Sequence, residues 1–306
     1  MSNKYIRKAL EAKKFYDQAI KQAKSGNFAY KLAAKSFESH LNELSQIELT
    51  SKINPAYEML DFRVKATHLK TGNAPLDLVA KLTNEIRKTI GYAALRLMKG
   101  GINKKRIPKY LFQDLDLRLE GILPGSSRFI ISAAAKRDLF DDGLSKGAIE
   151  RVFSVLSSLG QGEEFLSSIN DLGPSGAKSL RELLKLMKHH DAELELTWKY
   201  SGEEVKKWKG SKKDIESVTS SLEVTEITEQ EKIVLHGTIE LLSKRERIDL
   251  RINDNKLIKV LYPKSALSMV SELHLEQEVS LYCQVTETEN PLTNESSIFY
   301  ELLEIR

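Results

Sequence analysis

Apolar residues recur at helical spacing near the start of the chain and at alternate positions near its end. In residues 4–48, apolar positions three or four residues apart predict two helices separated at Ser25-Gly26-Asn27. Glycine tolerates the left-handed backbone that ends a helix, and two helices joined by a short turn form a hairpin. We therefore predict an N-terminal helical hairpin over residues 1–49.

Residues 50–224 mix the two patterns. After Asn54-Pro55, alternating apolar residues at 60–66 predict a strand, and three- and four-residue steps predict a helix over 75–98. We predict one α+β domain here, whose few strands are covered by helices on one face. Its other predicted elements are a hairpin at 115–131 with its turn at 123–127, helices at 145–159 and 163–190 with a break at Gly173-Pro174, a strand at 194–198 and a short helix after Ser211.

The last quarter of the chain has the alternating pattern of β-strands. Thr225 to Glu231 is polar and is interpreted as a linker into a third domain, residues 225–306. In element order this domain resembles the OB-fold, a small five-stranded barrel with a helix after the third strand; an SH3-like barrel is the alternative. The predicted strands are 233–242, 246–252, 256–262, 278–286 and 297–305, with a helix near 264–273.

Composition narrows the class of protein. The chain is 41% hydrophobic and 29% charged, which is enough apolar material for a core and excludes a fully disordered chain. Its single cysteine, Cys283, excludes an internal disulfide and a four-thiolate zinc site. The N-terminus has no apolar segment of the secretory type, and no stretch approaches the ~20 apolar residues of a membrane span. We expect a cytoplasmic protein that does not enter a membrane.

Motifs for catalysis and cofactor binding are missing from the sequence. The glycine-rich nucleotide-binding patterns, the nucleophile elbow and HExxH do not occur in a suitable setting, and the six histidines have no second ligand at metal spacing. We therefore predict no catalytic residue, no metal and no cofactor. An enzyme whose site is assembled from distant residues stays open, with Asp141, Asp142 and His68 as its first candidates.

Cations are concentrated toward the start of the chain. Residues 1–120 carry a net charge of +11, against −3 for residues 121–230 and −4 for residues 231–306. Two clusters in the central domain have the composition of a phosphate-binding surface. The first contains Lys104, Lys105 and Arg106, and the second surrounds Trp208, which is interpreted as an aromatic ring for base stacking. In the last domain, cations on the hairpins of the first three strands, including Arg245 and Arg247, lie where OB-folds bind.

These patterns predict a non-enzymatic binding protein that acts within a larger assembly. Its ligand is predicted to be a polyanion, namely nucleic acid. The alternative is a protein–protein adaptor or structural subunit, which binds a partner protein or a second copy through the helical hairpin and the barrel. The predicted nucleic-acid-binding residues are Lys104, Lys105, Arg106, Lys207, Trp208, Arg245 and Arg247.

Overall fold

The structure is a computed structural model with two five-stranded sheets and several α-helices in its described part, which confirms the mixed α+β class. The predicted domain boundaries stay predictions. The described residues are 2–23, 30–38, 57–66, 74–101, 106–123, 127–135, 143–243, 246–252, 256–291 and 293–306; within the first helix, side chains are described from residue 13 onward.

Two helices occupy the start of the chain. Helix α1 spans Ser2–Ala23, and helix α2 covers residues 30–38. The rings of Phe15 and Phe37 stack with centroids 5.7 Å apart, so the two helices meet along their apolar sides. The predicted break at 25–27 lies outside the described residues.

The first sheet has the strand order β2-β3-β1-β4-β5, and every neighbouring pair is antiparallel. Strand β1 is central because it pairs with β3 on one side and with β4 on the other, and its residues Leu60, Phe62 and Val64 all point to the same buried face. The strands are β1 (Tyr57–Lys65), β2 (Arg118–Leu123), β3 (Ser127–Ala134), β4 (Glu193–Tyr200) and β5 (Glu203–Gly210).

Helices cover the buried face of this sheet and enclose the larger core. Trp198, Phe129 and Phe153 are among the largest side chains that this core buries completely. No helix in the described ranges is both long and apolar enough to cross a membrane. The helices are α3 (Leu76–Lys99), α4 (Lys109–Leu115), α5 (Leu144–Ser157), α6 (Glu163–Leu172), α7 (Pro174–His189) and α8 (Lys212–Val224).

Two local predictions in this part of the chain are wrong. The first strand of the hairpin was predicted to begin at Leu115, but this residue ends helix α4, which was not predicted. Strand β2 begins only at Arg118, after Asp116, which has a left-handed φ of 42°. Strand β5 was also missed. Ser201 and Gly202 both have positive φ, which is the two-residue turn that joins antiparallel strands tightly.

The second sheet closes into a ring with the order β10-β8-β7-β6-β9. The interpretation of residues 225–231 as a linker is wrong. Residues 226–231 belong to β6, and residues 226–229 pair with the last residues of β9. The strands are β6 (Glu226–Ser243), β7 (Arg247–Arg251), β8 (Leu257–Leu261), β9 (Glu278–Asn290) and β10 (Glu295–Ile305), with helix α9 (Leu267–Val270) between β8 and β9.

A buried ion pair joins the ring to the first unit. The guanidinium of Arg96, near the end of α3, donates to Oε2 of Glu301 in β10, and each side chain is 8% exposed. The backbone N–H of Gly101 donates to Oε1 of Glu301 over 2.7 Å, and Arg96 Nε donates to the carbonyl of Asn170 over 3.3 Å. Donors therefore satisfy both oxygens of the buried carboxylate.

Removing one member of this pair should destabilise the fold strongly. We expect Glu301→Ala to lower the free energy of unfolding by ~3–5 kcal/mol, because Arg96 is left buried without its counter-charge. Glu304→Ala is the matched control: its partner Arg306 is 3.5 Å away and both are exposed, so the change should stay within ~0.5 kcal/mol. Urea denaturation followed by circular dichroism measures both. Equal losses of unfolding free energy in the two variants would contradict the assignment of Arg96 and Glu301 as a buried ion pair.

A side chain at Gly100 should disturb the same ion pair between Arg96 and Glu301. Its φ is +56°, and a Cβ on this residue would lie 1.7 Å from Oε1 of Glu301. Gly160 has a φ of +78° with no atom within 4 Å of a Cβ, so Gly160→Ala isolates the cost of the left-handed backbone. We expect Gly100→Ala to lower the thermal midpoint clearly more than Gly160→Ala. A smaller or equal shift would argue against close packing at the ion pair.

Candidate binding surfaces

The predicted binding residues do not form one described cluster. Lys104, Lys105 and Arg245 lie outside the described residues. Arg106 is exposed in the segment that precedes α4. The remaining three belong to strands of two different sheets.

Lys207 and Trp208 are consecutive residues of β5 and therefore point to opposite faces of the first sheet. Lys207 Nζ lies 2.6 Å from Oε1 of Glu195 in the neighbouring strand β4. Trp208 is only 9% exposed and packs into the larger core. The interpretation of Trp208 as an exposed ring for base stacking is therefore corrected: it is a core residue.

Arg247 lies in β7 of the second sheet. Its Nε donates to Oδ1 of Asp249 over 2.5 Å, and this bond raises the pKa of the guanidinium. Arg251 at the end of the same strand pairs with Glu240 at 2.8 Å. A nearby carboxylate thus partly neutralises each of these cations.

The outer face of the first sheet gathers charges that the sequence analysis did not combine. Successive alternate positions of β1 place Asp61, Arg63 and Lys65 on the face opposite the core. The register brings Arg128 of β3 beside Arg63 on one side, and Glu195 of β4 beside it on the other. Lys207 and Lys209 continue the same face onto β5. The alternation of charges in β1 was visible in the sequence, but the strand register was not.

Two carboxylates hold this face together. Asp61 accepts from Arg128 Nε over 2.7 Å, a bond that raises the pKa of the guanidinium. Glu195 pairs with Lys207 at 2.6 Å and with Lys65 at 3.2 Å. These lysines, above all the hydrogen bond from Lys207, lower the pKa of the Glu195 carboxyl to about 2 against the opposing effect of its burial.

The face keeps a surplus of positive charge after these pairs form. Six cations belong to its alternation on β3, β1, β4 and β5, against the four carboxylates of Asp61, Glu193, Glu195 and Glu204. The difference is two positive charges, and Lys207 and Lys209 on β5 are both exposed. The cations are Arg63, Lys65, Arg128, Lys199, Lys207 and Lys209.

The residues proposed for an assembled enzyme site are not brought together in the described structure. His68, Asp141 and Asp142 lie outside the described residues. In the part of the chain that is described, no group of three or more His, Cys, Asp or Glu side chains has the arrangement of a metal site. Cys283 is buried among the apolar residues of the ring, and this burial raises the pKa of its thiol to about 12. Cys283 is therefore a core residue and not an activated nucleophile.

Comparison with known proteins gives no relative from which a function can be transferred. No protein-family model matches the chain, and neither a curated protein nor a solved structure is significantly similar to it.

The pKa of Glu195 provides a direct check of the sheet face. The lowered pKa means that its ionised form stabilises the fold above the usual value of 4.5, and that this contribution disappears as the pH falls toward about 2. We expect Lys207→Gln to raise the Glu195 pKa, observed by a carboxyl NMR titration of labelled protein. Lys185→Gln removes a lysine paired with Glu223 at 2.8 Å on the helical side and should leave the Glu195 pKa unchanged. An ordinary pKa in the unaltered chain would contradict the contact.

Proposed function

We propose that this chain is a non-enzymatic binding protein that engages a polyanion, nucleic acid, through the outer face of its first sheet. The observation that carries the proposal is the surplus of two positive charges on that face. Clustered cations attract a phosphate backbone because binding releases the counterions condensed on it. Among the described residues that were predicted from the sequence to bind nucleic acid, Lys207 belongs to this surface.

Contacts to phosphates, and not to bases, fit this face. In the described strands, Tyr57 is the one aromatic residue in the outward alternation, and the Arg118 guanidinium lies 5.9 Å from the centre of its ring. Stacking of successive bases requires several exposed rings. We therefore propose binding with little sequence preference, since phosphate contacts carry no direct sequence information.

The second sheet is proposed to be an OB-like barrel. Numbered from β6, its ring has the order 5-3-2-1-4, its third and fifth strands pair in parallel, and a short helix lies between the third and fourth. That order supports an OB-like over an SH3-like arrangement. OB-folds bind both nucleic acids and other ligands, so this assignment does not choose between partners.

A protein-binding adaptor is the second candidate, and one observation favours it. Part of β10 has a strand on one side only and lines a groove beside α6. An unpaired strand edge binds extended peptides through backbone hydrogen bonds, without any requirement for positive charge.

The salt dependence of oligonucleotide binding tests the leading proposal. We expect the full chain to bind a labelled 20-nucleotide single strand with an affinity that falls steeply with salt, by ~0.7 in logarithmic slope per phosphate contact. Lys207→Gln combined with Lys209→Gln removes two positive charges, which equals the surplus of the face. It should weaken binding on the order of tenfold and flatten the salt slope by ~1.4.

The control variant removes two lysines elsewhere. Lys185 and Lys188 on α7 pair with Glu223 and Glu216 of α8, both at distances below 3 Å. Replacing both by glutamine should change oligonucleotide affinity by less than twofold. An equal loss in the two double variants would indicate only a general effect of net charge, and no binding at low salt would refute the proposal.

A further inference from the structure

A groove of about 950 Å³ lies beside helix α6, next to the place where α6 contacts the second sheet. One wall is formed by Glu163 and Leu166 of α6, and the other by residues of β8 that include Leu257 and Lys259. The first part of β10, including Ile298, lies between these walls. The groove is on different elements from the basic sheet face, so an occupant here is independent of a polyanion bound there.

One edge of β10 is open to this groove. β10 pairs with β9 along residues 295–305, apart from one irregularity near its end, but it meets β8 only at Tyr300 and Glu301. Along residues 295–299 the described structure contains no strand on the second side. Five residues of extended chain span ~16 Å, enough to align a short peptide strand.

Helix α6 contacts β10 beside the groove, but the residues of this edge lack the features that normally prevent strand addition. Proteins protect exposed edges with lysine, proline, bulges or a covering element. Residues 295–299 read ESSIF, with one charge at the end and no proline or lysine. Ile298 is 56% exposed and Leu257 on the β8 wall is 61% exposed, so apolar side chains face solvent at both sides of the opening.

The charges of the groove decide which class of ligand fits. Lys256 and Lys259 lie on the β8 wall, whereas Glu163 and Glu295 lie toward α6 and the start of β10. Equal numbers of cations and carboxylates give a polyanion no net attraction. A peptide that places an acidic residue toward β8 and a basic one toward α6 is complementary to both walls.

We propose that this groove binds an extended segment of a partner protein as an added strand on β10. The segment would donate and accept backbone hydrogen bonds along residues 295–299. Because Ile298 and Leu257 lie on opposite faces of the ring, side chains on one face of the segment would meet Ile298 and those on the other face Leu257.

Selection from a display library of random seven-residue peptides, applied to the full chain, tests the proposal. We expect enriched peptides with apolar residues on both faces of the strand, at positions an odd number of residues apart. Ile298→Lys places a charge on the edge, and Leu257→Lys places one on the wall; each should reduce the affinity of a selected synthetic peptide at least tenfold. Leu275→Lys is the matched control, because Leu275 is also 61% exposed and does not line the groove. It should keep full affinity, and unchanged circular dichroism establishes that all three variants fold.

Methylating the backbone of the selected peptide separates strand addition from simple apolar contact. Methyl groups on the alternate amides that face β10 should abolish binding, while methyl groups on the other amides should not. Lys207→Gln with Lys209→Gln should leave peptide binding intact. The proposal is overturned by a lack of enrichment, by full affinity in Ile298→Lys, by competition from an oligonucleotide at this site, or by self-association of the chain that Ile298→Lys removes.

Discussion

The buried contact between Arg96 and Glu301 fixes how the two halves of the molecule meet. Removing two charges from water is costly, and the cost is offset only where hydrogen bonds satisfy the groups that remain. Here the Glu301 oxygens accept from Arg96 and from the Gly101 backbone, and Arg96 also donates to the Asn170 carbonyl. Gly100 permits this approach because a side chain on it would occupy the position of the carboxylate. The ring of strands therefore packs against α3 and α6. This packing positions α6 beside β10, where the groove lies.

Ion pairing also determines which cations can serve a ligand. On the helical side, Lys185 and Lys188 of α7 are each paired with one glutamate of α8, and in β7 arginine and aspartate neighbour each other. On the outer sheet face the ratio differs, since one glutamate, Glu195, is shared by Lys65 and Lys207. A carboxylate shared in this way orients the lysines without cancelling their combined charge. Local pairing, more than the net charge of a segment, thus distinguishes a binding surface from an ordinary charged surface.

Much of the fold could be predicted because burial imposes a regular pattern. The periodicity of α3, the break before Pro174 and the capping residues Ser211 and Asp214 all agree with the structure. The failures occur where a strand carries mainly polar residues. β5 and the first residues of β6 have exposed sides, so their apolar positions are too few to give an alternation. The Ser201-Gly202 dipeptide was the signal for β5. The sheet face itself depends on strand register, which brings Glu195 to Lys207 and cannot be obtained from either strand alone.

Chemical modification of lysines in the presence of bound nucleic acid tests the central claim most directly. Acetylation of the full chain, quantified by mass spectrometry with and without a saturating 20-nucleotide single strand, reports which amines the phosphates cover. We predict that Lys207 and Lys209 become protected, while Lys185 and Lys188 react as in the free chain. Protection confined to Lys104 and Lys105, with Lys207 and Lys209 fully reactive, would contradict the assignment of the sheet face as the polyanion site.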